Sequence, residues 1–317
     1  MSGAASPKVE MRDPSAKASF RERIMAWWEG YEPPVAPAPG PKAPTHEVRY
    51  ETEKQTWETT RLSLVQEVWG EGFSSPGGAE HVVDMIKFFG LDPAMSVLDL
   101  GAGLGGATRT MCESFGVWVN GFETDKALAE AAHALSHKAG LAKRASIAVF
   151  DPETFTRKAK SADCVFSKEF MYTVKEKKEL LTTIEMIMKS RGQLLFTDYM
   201  VAEPHLRSKS IEAWMDSEPN GAHPWAETDY RQVLEDLHLD IRVVQDITES
   251  FQKMVTSSWA AFVRRVQSGG VSPELFPAMG DEVELWARRM QAIESGDLKV
   301  CRIHALKRDT DRLMADW

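Results

Sequence analysis

An aspartate followed at once by a glycine-rich turn is the segment of this 317-residue chain with the clearest chemistry. The apolar residues Val97 and Leu98 lead into Asp99, and a helical pattern begins soon after the turn. The turn contains four glycines: Gly101, Gly103, Gly105 and Gly106. Glycine permits backbone angles that other residues avoid, and it lets a ligand approach the main chain closely. A strand that ends at such a turn commonly holds an adenosine-bearing cofactor in α/β sheets.

Two cofactors fit this turn. Gly101, Gly103 and Gly106 satisfy the dinucleotide pattern G-x-G-x-x-G, so a nicotinamide enzyme is one hypothesis. S-adenosylmethionine (SAM) is favoured because Asp99 could hold its cationic amino group, whereas a carboxylate there would repel a pyrophosphate. Glu123, about 20 positions beyond the turn, suits the ribose hydroxyls of either cofactor.

Three further residues complete the predicted SAM site. Asp151 follows the third predicted strand beside Phe150 and Phe155, where its carboxylate could accept a hydrogen bond from the adenine amino group. Ser75 lies in a Gly-rich loop ahead of the first predicted strand. Ser167 lies at the end of the fourth, and we assign both serines to the cofactor site.

These residues need a sheet whose strands end on one side. Apolar runs alternate with helical patterns, which predicts an α/β fold with a parallel sheet covered by helices on both faces. The predicted strands are Ser96–Leu100, Val117–Phe122, Ala145–Phe150, Ala162–Ser167, Gln193–Thr197 and Leu239–Asp246, with Lys299–Leu306 as a closing edge strand. The predicted helices in this part of the chain are Thr52–Glu67, Ala79–Phe89, Gly105–Ser114, Lys126–Lys138 and Lys175–Lys189.

The N-terminal part is organised differently. Residues 1–19 are small and polar and are predicted to be a disordered tail, and residues 32–48 form a Pro-rich linker. Between them, residues 20–31 have the spacing of an amphipathic helix. We expect it to cover part of the core; contact with a membrane surface or a substrate entrance is the alternative. The main domain is predicted over 49–310.

The chain resembles the class I SAM-dependent methyltransferases over about residues 65–200. It is similar, more narrowly, to the phosphoethanolamine methyltransferase branch and to its relatives that act on glycine, sarcosine and dimethylglycine. Three segments carry this likeness: Gly70–Gly78, the glycine turn, and Leu194–Tyr199. The resemblance implies a doubly wound, mostly parallel seven-stranded sheet in the order 3-2-1-4-5-7-6, with strand seven antiparallel.

The acceptor is expected at the carboxyl ends of strands four and five, where ligands of open α/β sheets gather. In the phosphoethanolamine branch, the segment after strand four carries an aspartate and, four residues on, a histidine base. Here Glu169 and Thr173 occupy those positions, and Tyr199 keeps the family's tyrosine. Threonine cannot take a proton from an ammonium acceptor. We therefore predict that Glu169 takes the proton or holds a cationic acceptor, and that Tyr172 or Tyr199 orients it.

Lid insertions are predicted at about 204–235 and 248–295. Trp214, Met215 and Trp225 would make the lid apolar and aromatic, which suits a cationic amine or a hydrophobic acceptor. The lid contains two histidines that could replace the missing base: His205 and His223. Its nearby cations that could meet a phosphate are Arg207 and Lys209. So sparse a basic set argues against phosphoethanolamine itself.

The composition of the chain excludes several classes of partner and cofactor. The net charge of −9 argues against a nucleic-acid partner, and no apolar run reaches the length of a membrane span. The N-terminus lacks a signal pattern, so we predict a cytoplasmic protein. The three cysteines show no zinc spacing or disulfide framework, and no metal is expected.

The leading hypothesis is thus a SAM-dependent N-methyltransferase of a small or amphiphilic amine. The alternatives are O- or C-methylation of a lipid or aromatic acceptor, a non-catalytic SAM-binding subunit, and an NAD-dependent oxidoreductase. The oligomeric state is left open.

Overall fold

The computed structural model describes residues 19–29 and 57–309. Most of the predicted tail and the whole of the predicted Pro-rich linker lie outside the described residues, so these predictions stay untested. The predicted helix at 20–31 is present as α1 (Phe20–Trp28). Within the described ranges, no helix combines the length and apolar character needed to cross a membrane.

A seven-stranded sheet forms the centre of the molecule, in the order β3-β2-β1-β4-β5-β7-β6. Strands β1 to β5 run parallel, and β7 pairs antiparallel with both β5 and β6. This confirms the predicted fold class and strand order. The strands are β1 (Ser96–Leu100), β2 (Trp118–Glu123), β3 (Ala145–Val149), β4 (Ala162–Lys168), β5 (Met188–Val201), β6 (Leu239–Asp246) and β7 (Leu298–Lys307).

Helices cover the sheet and build a cap over its carboxyl edge. They are α2 (Thr59–Trp69), α3 (Gly78–Ile86), α4 (Gly106–Phe115), α5 (Lys126–Lys138), α6 (Lys177–Ile187), α7 (Lys209–Ser217), α8 (Glu227–Asp236), α9 (Thr248–Gln267) and α10 (Phe276–Glu294). A short 3-10 turn, Met171–Thr173, follows β4. Asp125 caps α5 by accepting a hydrogen bond from the Leu128 amide, which explains why that helix begins where the sequence predicts.

Two strand predictions were wrong in detail. Residues 299–306 were predicted as an edge strand, yet β7 lies between β5 and β6, and β6 forms the edge. Burial explains the arrangement, because β7 is mostly buried whereas β6 is mostly half-buried or exposed. The helix predicted to reach Lys189 ends at Ile187, and β5 already begins at Met188. Pairing of Met188 with Ala162 in β4 extends the strand beyond its apolar run.

The cap has its own apolar core, which includes three fully buried tryptophans: Trp214, Trp259 and Trp286. Helix α1 packs against α9 and α10, and the Phe20 ring meets the Trp259 ring edge-on at 6.3 Å. Arg23 forms an ion pair of 2.8 Å with Glu294. Helix α1 therefore covers part of the core, in agreement with the favoured prediction. All three cysteines are buried with free thiols.

Candidate active site

The glycine turn between β1 and α4 forms one wall of a cavity at the carboxyl edge of the sheet. Gly101, Gly103 and Gly105 all adopt positive φ angles, of 75°, 54° and 75°. A Cβ atom on Gly101 would lie 2.3 Å from the side chain of Phe170. The turn therefore needs glycine at this position, both for its backbone conformation and for its close approach to a neighbour.

Asp99, one residue before the end of β1, is only 1% exposed, yet it lines the cavity. Its carboxylate accepts a hydrogen bond of 2.6 Å from the Thr108 hydroxyl. Burial raises the pKa of Asp99 to about 7, and the nearby charge of Glu123 adds to the rise. A cation placed in the cavity would favour the ionised form, so Asp99 is suited to a positively charged ligand.

Glu123 ends β2 and lies 5% exposed on the same wall. The amides of Gly103 and Asp125 donate to its two oxygens at 2.7 and 3.0 Å. Burial raises the pKa of Glu123, and these backbone donors oppose the rise. The Thr124 hydroxyl donates to the same carboxylate at 3.1 Å. A carboxylate offers about four acceptor positions, so Glu123 can still accept a hydrogen bond from a ligand hydroxyl.

The loop 70–78 packs against the glycine turn, where a Cβ on Gly103 would lie 2.5 Å from the Ser74 hydroxyl, and Ser75 lines the cavity. The Ser75 hydroxyl accepts a hydrogen bond of 2.7 Å from Lys168 Nζ. Arg109 of α4 anchors the loop by donating to the Gly72 carbonyl at 3.3 Å. The predicted Ser75 is thus brought to the site by a lysine that the sequence analysis had not singled out.

Three predicted cofactor residues do not line the cavity. Asp151 is exposed and accepts hydrogen bonds within its own turn, from the Glu153 amide at 2.9 Å and the Thr154 hydroxyl at 3.2 Å. Ser167 is 1% exposed and donates to the Leu100 carbonyl of the neighbouring strand. Gly105 shapes the turn from behind, where a Cβ would strike Ile147 at 2.3 Å. These positions do not support direct ligand contacts for the three residues.

Glu169 lies on the cavity wall directly after β4. Its two oxygens accept hydrogen bonds from Lys168 Nζ at 2.6 Å and from the Thr197 hydroxyl at 2.8 Å. The side chains of Lys168 and Glu169 are only 9% and 5% exposed, so the pair is buried. Glu169 has a φ of 45°, an unfavourable conformation for a residue with a side chain, and such strain clusters at functional sites.

Tyr172 lines the cavity as part of a buried polar network. Its hydroxyl donates to Glu218 at 3.0 Å and accepts from Arg289 Nη2 at 3.3 Å. Arg289 also donates two hydrogen bonds to the Glu218 carboxylate, at 2.6 and 2.7 Å. The Tyr172 hydroxyl is therefore already occupied by protein partners.

Tyr199, near the end of β5, also lines the cavity and is 2% exposed. Its ring meets the Tyr172 ring edge-on at 5.1 Å. Among the described residues, none forms a hydrogen bond with the Tyr199 hydroxyl, so this group can turn to a ligand. Burial raises the pKa of Tyr199, which keeps the phenol protonated at neutral pH.

Among the described residues, no histidine lines the cavity. Thr173 lines the cavity, but its hydroxyl donates to the Phe170 carbonyl at 2.8 Å. His205 and His223 are both exposed and lie outside the cavity lining. Residues 19–29 and 57–309 contain no cluster of histidine, cysteine and acidic side chains suited to a metal ion.

The tryptophans predicted for the lid do not line the cavity. Trp214 is fully buried and Trp225 packs against Tyr230, so neither ring lines the cavity. The loop after α7 instead presents Glu218, Pro219 and Asn220. Tryptophan buries more area inside the cap than it would on a lid, which explains the difference.

Basic side chains also line the cavity, but they are not the two that the sequence predicts near the acceptor. Arg207 and Lys209 are exposed and lie outside the lining, whereas Arg61, Lys168 and Arg289 are part of it. Arg61 of α2 forms an ion pair of 2.9 Å with Glu282 of α10. Glu282 and Arg61 are among the buried residues of α10 and α2, and Arg289 follows Glu282 by seven positions, on the same face of α10. Charged residues at apolar stripe positions were the signal that could have identified them.

The cavity has two chemically different ends. Asp99, Glu123 and the glycine turn offer carboxylates and exposed main chain, which suit a cation and hydroxyl groups. The rest of the lining combines the unbonded Tyr199 hydroxyl with three ion pairs: Lys168–Glu169, Arg289–Glu218 and Arg61–Glu282. Such a lining suits a small polar molecule with charged groups.

The chain is similar in sequence to known methyltransferases. A family model for a methyltransferase domain matches residues 79–242. Phosphoethanolamine N-methyltransferase 3 of Arabidopsis thaliana is 26% identical over 243 residues, covering 77% of this chain and 48% of that protein. Phosphoethanolamine N-methyltransferase 2 of Caenorhabditis elegans is 29% identical over 149 residues, 46% of this chain and 34% of that one. This chain spans about half the length of these curated relatives, or less.

Solved structures share the fold. Phosphoethanolamine N-methyltransferase 2 of Haemonchus contortus, solved with phosphomonomethylethanolamine and S-adenosylhomocysteine, superposes with a TM-score of 0.69 at 22% identity. The match covers 81% of this chain and 60% of that one. A protein described as a sarcosine dimethylglycine methyltransferase of Galdieria sulphuraria has a TM-score of 0.64 at 20% identity, covering 79% and 98%.

Proposed function

The chain belongs to the family of methyltransferase domains, and from this premise we propose that it transfers a methyl group from SAM to the nitrogen of a small charged acceptor. One observation carries the proposal. A single cavity joins the Asp99 and Glu123 carboxylates beside the glycine turn to the Glu169 carboxylate and the free Tyr199 hydroxyl. Methyl transfer depends on holding a donor and a nucleophile together in line, which such a cavity can do.

The residues at the glycine turn fit SAM. Asp99 would hold its cationic amino group, and Glu123 would accept from its ribose hydroxyls. When bound, SAM supplies a methyl group on an electrophilic sulfonium. The same carboxylates would face the diphosphate of a dinucleotide unfavourably, which argues against the nicotinamide alternative.

Tyr199 and Glu169 would align the acceptor and shield it from water. The neutral Tyr199 hydroxyl can hydrogen-bond the acceptor nitrogen and direct it into the cavity. Glu169 is the carboxylate on this wall at the position where the related family places an acid, and it can receive a proton from an ammonium acceptor. Its bonds to Lys168 and Thr197 fix its orientation.

The ion pairs support a polar, charged acceptor over a lipid tail or an aromatic ring. Each of the three cations in the lining is matched by a carboxylate, so the wall offers charged donors and acceptors that a polar acceptor can use and an apolar one cannot. The curated relatives are named for phosphoethanolamine, a small amine with an anionic group. An acceptor of this chemical class agrees with the lining.

Calorimetric titration distinguishes the cofactor classes. We expect SAM and its demethylated product to bind, and NAD to give no heat of binding. Binding of NAD without binding of SAM would overturn the proposed function. Binding of SAM without turnover of any acceptor would favour a non-catalytic subunit.

The affinity for SAM is expected to depend on pH through Asp99. Its pKa is raised to about 7, so below that pH the free protein must lose a proton before Asp99 can meet a cation. Affinity should therefore weaken as pH falls, approaching about tenfold per pH unit below 7. The Asp99→Asn variant should bind SAM weakly, and its affinity should lack this pH dependence. Calorimetry between pH 8 and pH 5.5 measures both effects.

The control for this pH dependence is Asp125→Asn. Asp125 caps α5 outside the cavity lining, and asparagine caps a helix equally well. Titration of SAM itself affects both variants equally, so the difference between their slopes of SAM affinity against pH reports the contribution of Asp99. Equal slopes in the two variants would show that Asp99 does not hold the cofactor.

Glu169→Gln should reduce turnover of an amine by about 100-fold, the size of a typical general-base contribution. The affinity for SAM should stay close to that of the wild type, because Asp99 and Glu123 are untouched. Asp163→Asn is the matched control: Asp163 also pairs with a lysine, Lys189 at 2.8 Å, at the opposite end of β4. Full turnover by Glu169→Gln in a steady-state assay would exclude Glu169 as the base.

A further inference from the structure

Lys177 is a lysine with no exposed surface and no place in the cavity lining. It begins α6, and its Nζ donates to two backbone carbonyls, of Val174 at 2.5 Å and of His223. The ring of Trp225 lies 5.5 Å from Nζ. One ammonium group therefore joins the segment after β4 to the loop between α7 and α8.

Asp198 is equally buried, near the end of β5. Its two oxygens accept hydrogen bonds from the Tyr172 amide at 2.9 Å and from the Tyr230 hydroxyl at 2.7 Å. The loop is joined to the same segment a second time, because the His223 amide donates to the Tyr172 carbonyl at 2.7 Å. Every one of these bonds ends on residues 172–174, on the loop, or on α8.

The two charges stabilise each other. Burial lowers the pKa of Lys177 to about 8, and the charge of Asp198 opposes that effect. Burial likewise raises the pKa of Asp198 to about 7, opposed by the charge of Lys177. Two charged groups without solvent contact are costly to bury, so their presence here points to a role besides stability.

That role follows from what the joined segments carry. Residues 171–174 carry Tyr172 and Thr173, and the loop that begins after α7 carries Glu218, Pro219 and Asn220. All five line the cavity, whereas β1, β2 and the glycine turn supply the part of the lining that carries Asp99 and Glu123. We infer that Lys177 and Asp198 are positioning residues that fix the 218–224 loop over the acceptor end of the cavity.

Lys177→Met tests this inference, with Lys307→Met as a matched control. Lys307 is also a nearly buried lysine that donates to two carbonyls, of Glu185 and Met188, but it lies far from the loop. In hydrogen exchange of the ligand-free protein, the His223 amide should exchange about tenfold faster in Lys177→Met. Lys307→Met should leave that amide unchanged.

The kinetic readout rests on the proposed function and uses phosphoethanolamine and sarcosine as acceptors. Misplacement of the loop should raise the acceptor KM by about tenfold, while the Kd of SAM stays within about twofold because the two ends are built separately. If Lys177→Met does not fold, Asp198→Asn should show the same pattern more weakly, since asparagine can retain the bond from the Tyr172 amide.

The outcomes separate the two proposals. Absence of wild-type turnover with any amine would count against the proposed function and leave the exchange result standing. Equal exchange at His223 in the Lys177 and Lys307 variants would overturn the positioning role. So would a loss of SAM affinity as large as the loss of acceptor affinity, because it would mark a general structural defect.

Discussion

Gly101→Ala is expected to weaken SAM binding by about 100-fold, the cost of shifting a binding wall by about 1 Å. Alanine at a φ of 75° pays about 1–2 kcal/mol of backbone strain, and its Cβ would lie 2.3 Å from Phe170. Phe170 is 6% exposed and packed in the core, so the turn must move instead. Calorimetric titration of the folded variant measures the loss.

The control for this prediction is Gly140→Ala. Gly140 has a nearly identical φ of 72°, but nothing lies within 4 Å of a Cβ placed there. It therefore pays the same backbone strain without a collision. Wild-type affinity in Gly140→Ala together with a large loss in Gly101→Ala assigns the effect to the cavity wall. Wild-type affinity in both would show that the glycine turn does not hold the cofactor.

Arg289→Met should destabilise the protein by about 3–5 kcal/mol, because it leaves the buried Glu218 carboxylate without its cation. Glu218 is 6% exposed, and Arg289 supplies two of its hydrogen bonds. The Trp214 and Tyr172 donors that remain are neutral. Chemical denaturation measures the change in the free energy of unfolding. Amine turnover should also fall, since the network lines the acceptor end.

Two further variants separate stability from function. Arg288→Met removes the partner of Glu284 in an exposed pair on the same helix and should cost less than about 1 kcal/mol. Adding Glu218→Gln to Arg289→Met removes the stranded charge, so most of the stability should return. Turnover should stay low in the double variant. A loss below about 1 kcal/mol in Arg289→Met would contradict the buried-pair account.

The sequence led to Asp99, Glu123 and Gly101 on the cavity wall because they are close together in the chain, whereas the predicted Asp151, Ser167 and Gly105 do not line the cavity. Asp99 and the glycine turn are contiguous, and Glu123 follows one helix and one strand later. Strand and helix patterns fixed most elements to within a few residues. The order of the strands came from family resemblance, since pairing partners far apart in the chain leave no periodic signal.

The acceptor end was harder to predict because it is assembled from distant elements. Arg61, Glu218 and Arg289 come from α2, the loop after α7, and α10. Their pairing depends on how the cap helices pack, which hydrophobic spacing alone does not specify. Trp214 was misplaced for the same reason, because an aromatic residue in an insertion can face either the ligand or the core.

The most direct test of the account is transfer of a labelled methyl group. The purified protein would be incubated with methyl-labelled SAM and, separately, with phosphoethanolamine, glycine, sarcosine, dimethylglycine and a lipid extract. Mass spectrometry and nuclear magnetic resonance would then locate the label. We predict label on the nitrogen of a small amine in the aqueous phase. Label on oxygen or carbon, or only in the lipid phase, would contradict the proposal.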